Sequence, residues 1–507
     1  MEVFETLSLG MSFLIENPIT FVYLTAGVFF GMVFGAIPVL SAALAVSLIL
    51  PFTFTMAPGA GLATLVGIYV GGISGGLISA ILLNIPGTVA SMVTCFDGSP
   101  MAKQGKAREA LALGTFSSVV GGIISGFALI IIAPQLAKVA LRFGPWEYLA
   151  LGIMGLSIVV SLISTTDPIK GVIGCCIGVM LGNVGIDPIT NVQRYTFGMW
   201  QLGAGLNSLP VLIGVFALSE ILSQVSNLNN RLELAYKTKK LPLIPEKGLF
   251  KGQFLNVARS TIIGILIGIL PGIGQSTASM LSYDQAKRTS KTPEMFGKGC
   301  PDGVVASESA NNAVCGGALI PMLTMGIPGD TVTNILLGGF VVHGLQPGPL
   351  LFQANKDVVG TVFLGYMVAN IIMYIMIIKL MPLFISCLTL PIKYMFPVLM
   401  ALCAIGCFTL NNRVFDIWVL FFTGTLGYIL VKNGFRLQTM TLGFVLSRII
   451  ESNGRTAVLG ANGNIFEVFT RPIAIVLFVV AAVMMCWPII KAKRAQAAKV
   501  AQAAAGE

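Results

Sequence analysis

The chain has 507 residues, 55% hydrophobic and 10% charged, with a mean hydropathy of +0.88. A soluble domain carries about 25% charged residues, so the charge deficit and the many long apolar runs exclude a soluble protein and point to an all-α polytopic membrane protein. The net charge of +10 is not a sign of a nucleic-acid partner, because the basic residues cluster in short segments, as the positive-inside rule requires.

Residues 1–17 carry Glu2, Glu5 and Glu16 and no basic stretch, so no cleavable signal peptide is expected. A long apolar run at 18–57 is broken near Gly35-Ala36-Ile37-Pro38-Val39-Leu40-Ser41. A second run, 60–84, leads into Asn84-Ile85-Pro86-Gly87-Thr88, and a polar loop follows from Asp97 to Glu109, with Lys103, Lys106 and Arg108. Further apolar runs lie near 110–134, 148–164, 169–185 and 208–226. Residues 231–259 are rich in Lys and Arg and contain Pro242 and Pro245, which reads as a cytoplasmic linker.

The order then repeats. Gly268-Ile269-Leu270-Pro271-Gly272 corresponds to the segment from Gly35 at an offset of 233, and Gly326-Ile327-Pro328-Gly329-Asp330 corresponds to the segment from Asn84 at an offset of 242. Apolar runs follow near 313–337, 358–380, 394–410, 414–431 and 472–490, with a weaker one near 437–450, and a basic Ala-rich tail closes the chain. This divides the chain into a first membrane repeat at 1–230, a linker at 231–259, a second repeat at 260–490 and a cytoplasmic tail at 491–507.

Basic loops at 97–109, 231–259 and 284–300 place these segments in the cytoplasm. Two of them flank Ser260 to Tyr283, whose arms of about 10–11 residues cover roughly 16 Å, half of a ~30 Å hydrocarbon core. That segment is expected to be a re-entrant hairpin. Residues 18–57 would be its counterpart from the other side, although arms of ~18 residues also allow two full spans. The expected architecture is two inverted-topology repeats with re-entrant hairpins and Pro-Gly-broken helices, about 10–12 membrane segments in all. Arg455 and Arg471 fall in a loop that this topology places outside, which counts against it.

A Pro-Gly break frees backbone N–H and C=O groups within the membrane, which is tolerated only where they are buried in protein or line a wet cavity. Half-helix N-termini suit a carboxylate, and freed carbonyls suit Na⁺. The candidate substrate or ion ligands are therefore Ser41 at the first break, Asn84, Pro86, Gly87, Thr88 and Ser91 at the second, and Gly272, Ser276 and Thr277 at the third. Pro328, Gly329, Asp330, Thr331, Thr333 and Asn334 are the candidates at the fourth. Na⁺ is a candidate coupling ion, with H⁺ the alternative, and would be held near Pro38, Pro86, Pro271 and Pro328; no other cofactor is expected. The cluster Ser307-Glu308-Ser309-Ala310-Asn311-Asn312 reads either as a helix cap before the run at 313 or as a functional group in which Glu308, Asn311 and Asn312 line an entrance or bind a cation. Asp330 stands out because a carboxylate at a membrane break is costly unless paired or hydrated. His343 reads as an interfacial loop residue.

Enzyme readings fall away. There is no G-x-x-x-x-G-K-[ST] phosphate loop, the one histidine excludes H-E-x-x-H chemistry, and no G-x-S-x-G elbow stands in a strand–turn–helix context. The nine cysteines lack zinc or disulfide spacing, and Cys175-Cys176, Cys403 and Cys407 read as packing residues.

The motifs Asn84-Ile-Pro-Gly-Thr, Phe96-Asp97-Gly98-Ser99-Pro100-Met101-Ala102-Lys103-Gln104-Gly105-Lys106, Glu308-Ser-Ala-Asn-Asn-Ala, Gly316-Gly-Ala-Leu-Ile-Pro, Gly326-Ile-Pro-Gly and His343-Gly-Leu-Gln-Pro-Gly-Pro resemble the large membrane subunit of tripartite tricarboxylate transporters, the TctA family. The resemblance covers nearly the whole chain. It implies a multi-pass protein of the bacterial inner membrane, working with a small four-span membrane subunit and a periplasmic binding protein that delivers citrate-like or other carboxylates. Uptake would be driven by a Na⁺ or H⁺ gradient. The chain departs from the family pattern at Pro38-Val39, where Pro-Gly is usual, and at Asp330, where a small hydroxyl or apolar residue is commoner. The alternatives are a proton-coupled carrier of a non-carboxylate solute, with Asp330 as the proton site, and a non-transporting membrane scaffold.

Overall fold

A computed structural model describes residues 2–38, 40–163, 168–187, 189–225, 250–388 and 392–486. The linker expected at 231–259 is described only from residue 250, and the tail at 491–507 lies outside the described residues. In chain order the helices are α1 (Glu2–Glu16), α2 (Ile19–Ala36), α3 (Ala42–Thr53), α4 (Pro58–Leu83), α5 (Thr94–Met101), α6 (Ala107–Ala140), α7 (Pro145–Ile163), α8 (Pro168–Gly182), α9 (Ser208–Ile213) and α10 (Ser219–Gln224). They continue with α11 (Phe254–Ile269), α12 (Gly274–Thr289), α13 (Pro301–Met325), α14 (Thr331–Val342), α15 (Leu351–Ala354), α16 (Lys356–Cys387), α17 (Ile392–Asn411), α18 (Val414–Lys432) and α19 (Leu437–Gly460). One two-residue antiparallel pairing, Gly185–Ile186 with Gln193–Arg194, is the only strand structure among the described residues. Among the described residues, five helical segments are long and apolar enough to cross a membrane, Pro58–Leu83 and Lys356–Cys387 among them. The protein is an all-α polytopic membrane protein.

The chain forms two compact units, and each draws on both halves of the sequence. The first comprises Met1–Leu141 and Leu209–Tyr428, the second Arg142–Ser208 and Ile429–Glu507.

In the first unit, α4 is buried along its whole apolar length and α2 packs on it through glycines. A Cβ on Gly31 would stand 2.2 Å from the Ile68 carbonyl oxygen, and one on Gly75 would stand 2.5 Å from that of Met32. The same approaches recur between α11 and α13 at the two sequence offsets. A Cβ on Gly264 would meet the Ala310 oxygen at 2.5 Å, and one on Gly317 the Ile265 oxygen at 2.6 Å. Helices in a membrane gain little from apolar burial against one another, so backbone contact across small residues is what holds such pairs.

Several expectations are corrected. The arm α3 has only 12 residues against 18 in α2, so 18–57 does not form two arms of span length. The arms α11 and α12 have 16 residues each, longer than expected, because Phe254–Arg259 and Asp284–Thr289 continue the helices with good helix formers such as Ala286, Lys287 and Arg288. Residues 97–109 are not a loop: α5 runs through a π-turn with Gly105 at φ +82° directly into α6, and Asp97 is buried. The break expected at Gly326–Asp330 within the apolar run 313–337, by contrast, is present, with α13 ending at Met325 and α14 starting at Thr331. Cys175, Cys403 and Cys407 are buried, whereas Cys176 is exposed.

In the second unit, α8 and α19 pack closely, with Gly443 against the Cys175 carbonyl oxygen at 2.4 Å from a would-be Cβ. Arg455 lies on α19 rather than in a loop, and it pairs with Asp187 and Glu451, while Arg194 pairs with Glu451 as well. Arg471 caps a short 3₁₀ turn, 3.7 Å from Glu467. The Arg455 charge is thus neutralised locally. The Asp187 carboxyl is held well below the ordinary carboxylate range, first by the Thr190 hydroxyl, then by the Ile189 backbone and Arg455.

Candidate functional site

Two broken-helix tips lie in the first unit. At the first, α4 ends at Leu83, Asn84 adopts the left-handed conformation (φ 57°, ψ 28°), and Thr88 turns the chain into a 3₁₀ turn, Val89–Met92. At the second, α13 ends at Met325, Gly326 takes the left-handed position (φ 69°, ψ 22°), and Asp330 caps α14. Gly326 fits that position without strain, whereas Asn84 is among the few non-glycine residues that tolerate it. The residue three along does the same work in both: the Thr88 N–H donates to Ser91 Oγ at 3.3 Å, and the Asp330 N–H donates to Thr333 Oγ1 at 2.9 Å.

Each tip presses onto the broken end of a neighbouring helix. A Cβ on Gly87 would stand 2.1 Å from the Gly35 carbonyl oxygen at the end of α2, and one on Gly329 would stand 2.3 Å from that of Gly268 at the end of α11. At the second tip the Gly272 N–H donates to the Gly329 carbonyl at 2.9 Å. The other breaks match too, because Ile37 and Leu270 end α2 and α11 in the same extended conformation. The freed backbone groups of one break thus meet those of another, as buried irregular backbone must.

The tips differ in chemistry. Asp330 is 4% exposed, and its carboxylate is surrounded by donors. Oδ1 accepts from the Thr333 N–H at 2.7 Å and the Thr333 hydroxyl at 2.6 Å, while Oδ2 accepts from the Tyr69 hydroxyl at 2.6 Å and from Gln275 Nε2. Gln275 Nε2 also donates to Tyr69 Oη at 3.0 Å. Dipoles aimed at both oxygens replace the water that burial removed. At the first tip the hydroxyls of Thr88 and Ser91 lie over Gly76, where a Cβ would stand 2.6 and 2.9 Å from them, and Thr88 Oγ1 is buried without a hydrogen-bond partner.

The polar cluster on α13 links these parts. Because α13 starts at Pro301, Ser307–Asn312 lies well inside the helix, fully buried, and the helix-cap reading of Ser307 and Ser309 is overturned. Proline at the first helical position fixes that start. Asn312 Oδ1 accepts from Ser74 of α4 at 2.6 Å. The Glu308 carboxyl oxygens lie 2.5 Å from Thr94 Oγ1 and 2.9 Å from Ser118 Oγ. Asn311 and Asn334 are buried with unpaired amide oxygens.

The structure therefore brings Asp330 together with Gln275 and Tyr69, and Thr88 with Ser91. Ser276 and Thr277 follow Gln275 on α12 without joining the Asp330 group; Thr277 donates back to the Ile273 carbonyl at 3.4 Å. Ser41 is the cap of α3, accepting from the Leu44 N–H at 3.1 Å. His343 ends α14, 3.3 Å from Thr53 Oγ1. Sequence reasoning missed Tyr69, Ser74, Thr94, Ser118, Gln275 and the clasp at Asp97. In that clasp, Asp97 Oδ1 accepts from the N–H groups of Gly297, Gly299 and Cys300 at 2.9, 2.9 and 2.8 Å, and Oδ2 accepts from Tyr283 at 2.8 Å. One signal was available: Tyr69 stands 242 residues before Asn311, so the offset that pairs the tips also pairs these two.

Comparison with known proteins agrees with this construction. No solved structure matches the chain. An uncharacterized 52.8 kDa protein in the TAR-I ttuC' 3' region of Agrobacterium vitis is 35% identical over 497 residues, covering 97% of this chain and 98% of its own length. An uncharacterized protein in the TAR-II ttuC' 3' region of the same organism is 35% identical over 236 residues, 46% of this chain and 98% of its own length. The model described as "Tripartite tricarboxylate transporter TctA family" matches residues 21–442. With paired helix breaks, buried polar tips and this breadth of similarity, the chain belongs to the tripartite tricarboxylate transporter TctA family.

Proposed function

We propose that the protein is the large transmembrane subunit of a tripartite, ion-gradient-driven secondary importer of tricarboxylates or related carboxylates in the bacterial inner membrane. A periplasmic binding protein would deliver the substrate, and a small four-span subunit would complete the membrane complex. The carrying observation is the pair of buried broken-helix tips, each opening a new helical turn and each holding a buried polar atom without a partner, Thr88 Oγ1 and Asn334 Oδ1. Half-helix N-termini at such breaks favour a carboxylate, and the adjoining carbonyls and hydroxyls favour a small cation. The recurring glycine contacts at constant offsets support two repeats, which we read as inverted in the membrane, with α11–α12 as a re-entrant hairpin.

The test is uptake by the complete complex in proteoliposomes under an imposed Na⁺ or pH gradient, with the binding protein and candidate carboxylates supplied outside. Gradient-dependent accumulation is expected. A scaffold would show none, and its behaviour would be indifferent to Pro86→Ala and Pro328→Ala.

A further inference from the structure

The four buried carboxylates of the first unit are not equally satisfied: Asp416, at the start of α18, accepts from Asn411 Nδ2 at 2.8 Å, and the other three surround the tips. Asp97 accepts three backbone N–H groups and a phenol; Asp330 accepts a backbone N–H, an amide and two hydroxyls. Glu308 is 0% exposed and has the two hydroxyls of Thr94 and Ser118, with the Asn311 amide beside it, and no ion pair reaches it among the described residues. An ionised carboxylate held this sparsely inside a membrane is costly.

A count of protons points to its state. Each hydroxyl has one. Ser118 gives its proton to Glu308 Oε2, and Ser307 gives its own to the Val304 carbonyl at 3.1 Å. Thr94 Oγ1 stands 2.5 Å from Glu308 Oε1 and 3.2 Å from Ser307 Oγ. If Glu308 is ionised, Thr94 must spend its proton on the carboxylate, and Ser307 then has one proton for two contacts, Thr94 Oγ1 and the Val304 carbonyl, so one of them goes unfilled. If Glu308 is protonated, every contact is filled: the acid O–H donates to Thr94, Thr94 donates to Ser307, and Ser307 donates to the Val304 carbonyl. Ser118 then donates to the acid's carbonyl oxygen. Beside the carboxyl, the Asn311 amide is buried without a hydrogen bond of normal geometry, a polar group in reserve when the acid changes state.

We propose that Glu308 is a buried proton-binding residue, held as the neutral acid by a hydroxyl chain through Thr94 and Ser307, and that in the carrier proposed above, on which this role rests, it carries the coupling proton. The groups facing it are few. Cys95 of α5 is the titratable neighbour, α6 brings Gly114 and Ser118, and α12 brings Ser279 to the Ser307 carbonyl. From α11 comes Gly264 against Ala310, and from α4 comes Ser74 against Asn312.

Infrared difference spectroscopy of the purified complex, titrated in H₂O and D₂O, tests the site without a substrate. The expected result is a carboxylic-acid C=O band that shifts on deuteration, persists when Na⁺ is added and is absent in Glu308→Gln. Gln keeps the shape and can donate to Thr94 while accepting from Ser118, and a monodisperse, normally melting Glu308→Gln protein shows that the fold is intact. Identical bands in wild type and Glu308→Gln, or a band that vanishes on adding Na⁺, overturn the proposal. Transport tests the coupling role. A gradient of about one pH unit supports about tenfold accumulation per proton carried, and Glu308→Gln should reduce accumulation to simple equilibration. A pH-driven accumulation that survives in Glu308→Gln overturns the role. If the wild type moves no carboxylate at all while the band behaves as expected, the importer reading fails and the proton site stands.

Discussion

The two tips share a backbone and differ in charge. Asn84 and Gly326 bend the chain in the same way, Gly87 and Gly329 make the same approach to a helix end, and Ser91 and Thr333 accept from the same N–H. At the capping position the first tip has Thr88 and the second has Asp330, and the α4 residue facing Asp330 is Tyr69 where its counterpart on α13 is Asn311. Backbone geometry is thus set by small residues, which a repeat can preserve, while the chemistry is carried by a few side chains that are free to diverge. The carboxylate of the second tip is filled by internal hydrogen bonds. Each tip nevertheless keeps one buried polar atom without a partner, Thr88 Oγ1 at the first and Asn334 Oδ1 at the second.

The comparison can be broken most severely at the glycines. Gly87→Ala and Gly329→Ala each drive a methyl group into a carbonyl oxygen, and overpacking of this kind costs about 1–3 kcal/mol or more. Both variants should melt several degrees lower in detergent and lose uptake; if only one does, the tips are not equivalent in packing. Next in size is Tyr69→Phe, which strips one donor from a buried carboxylate and is expected to cost about 1.5–3 kcal/mol. The matching change on the other side, Asn311→Leu, removes an amide with no hydrogen bond of normal geometry and should leave the melting temperature almost unmoved. A thermal-shift comparison of the pair decides this.

The caps offer a finer contrast. Asp330→Ala loses a cap and leaves Tyr69 and Gln275 facing a void, for about 1–2 kcal/mol. Thr88→Ala removes a hydroxyl with no partner, so unfolding should shift by only a few tenths of a kcal/mol while substrate affinity falls. An equal loss of stability in both would mean that the Thr88 hydroxyl, like the Asp330 carboxylate, holds its tip together. The smallest effect is expected at Ser41→Ala, about 0.5–1 kcal/mol for a single serine cap, read as a modest drop in melting temperature.

Much of this was legible in the sequence. The Ile-Pro-Gly breaks, their fixed offsets and the polar residues around them follow from local chemistry, because proline and glycine act on the chain where they stand. The depth of Glu308 was not legible. It depends on where α13 starts, and the hydrophobic run at 313 concealed twelve preceding helical residues, Pro301–Asn312, whose polar members are satisfied by other helices. Tyr69 showed only through its offset from Asn311, because its partner lies 261 residues away and nothing in an apolar helix marks one tyrosine as a donor. The division into compact units was hidden for a similar reason. Long-range packing assembles residues 1–141 with residues 209–428, whereas the sequence shows only their order.

The Asp97 clasp has a mechanical consequence. One carboxylate holds three N–H groups of the 297–300 turn and the Tyr283 phenol, while its own helix α5 follows directly on the first tip. The turn that it grips leads straight into α13, the helix that ends in the second tip. The start of one broken helix is therefore riveted to the element that follows the other. Pulling the rivet would strand several donors at once, so the joint transmits force rather than yielding. The helix after the first tip and the helix before the second are thus anchored at one shared carboxylate.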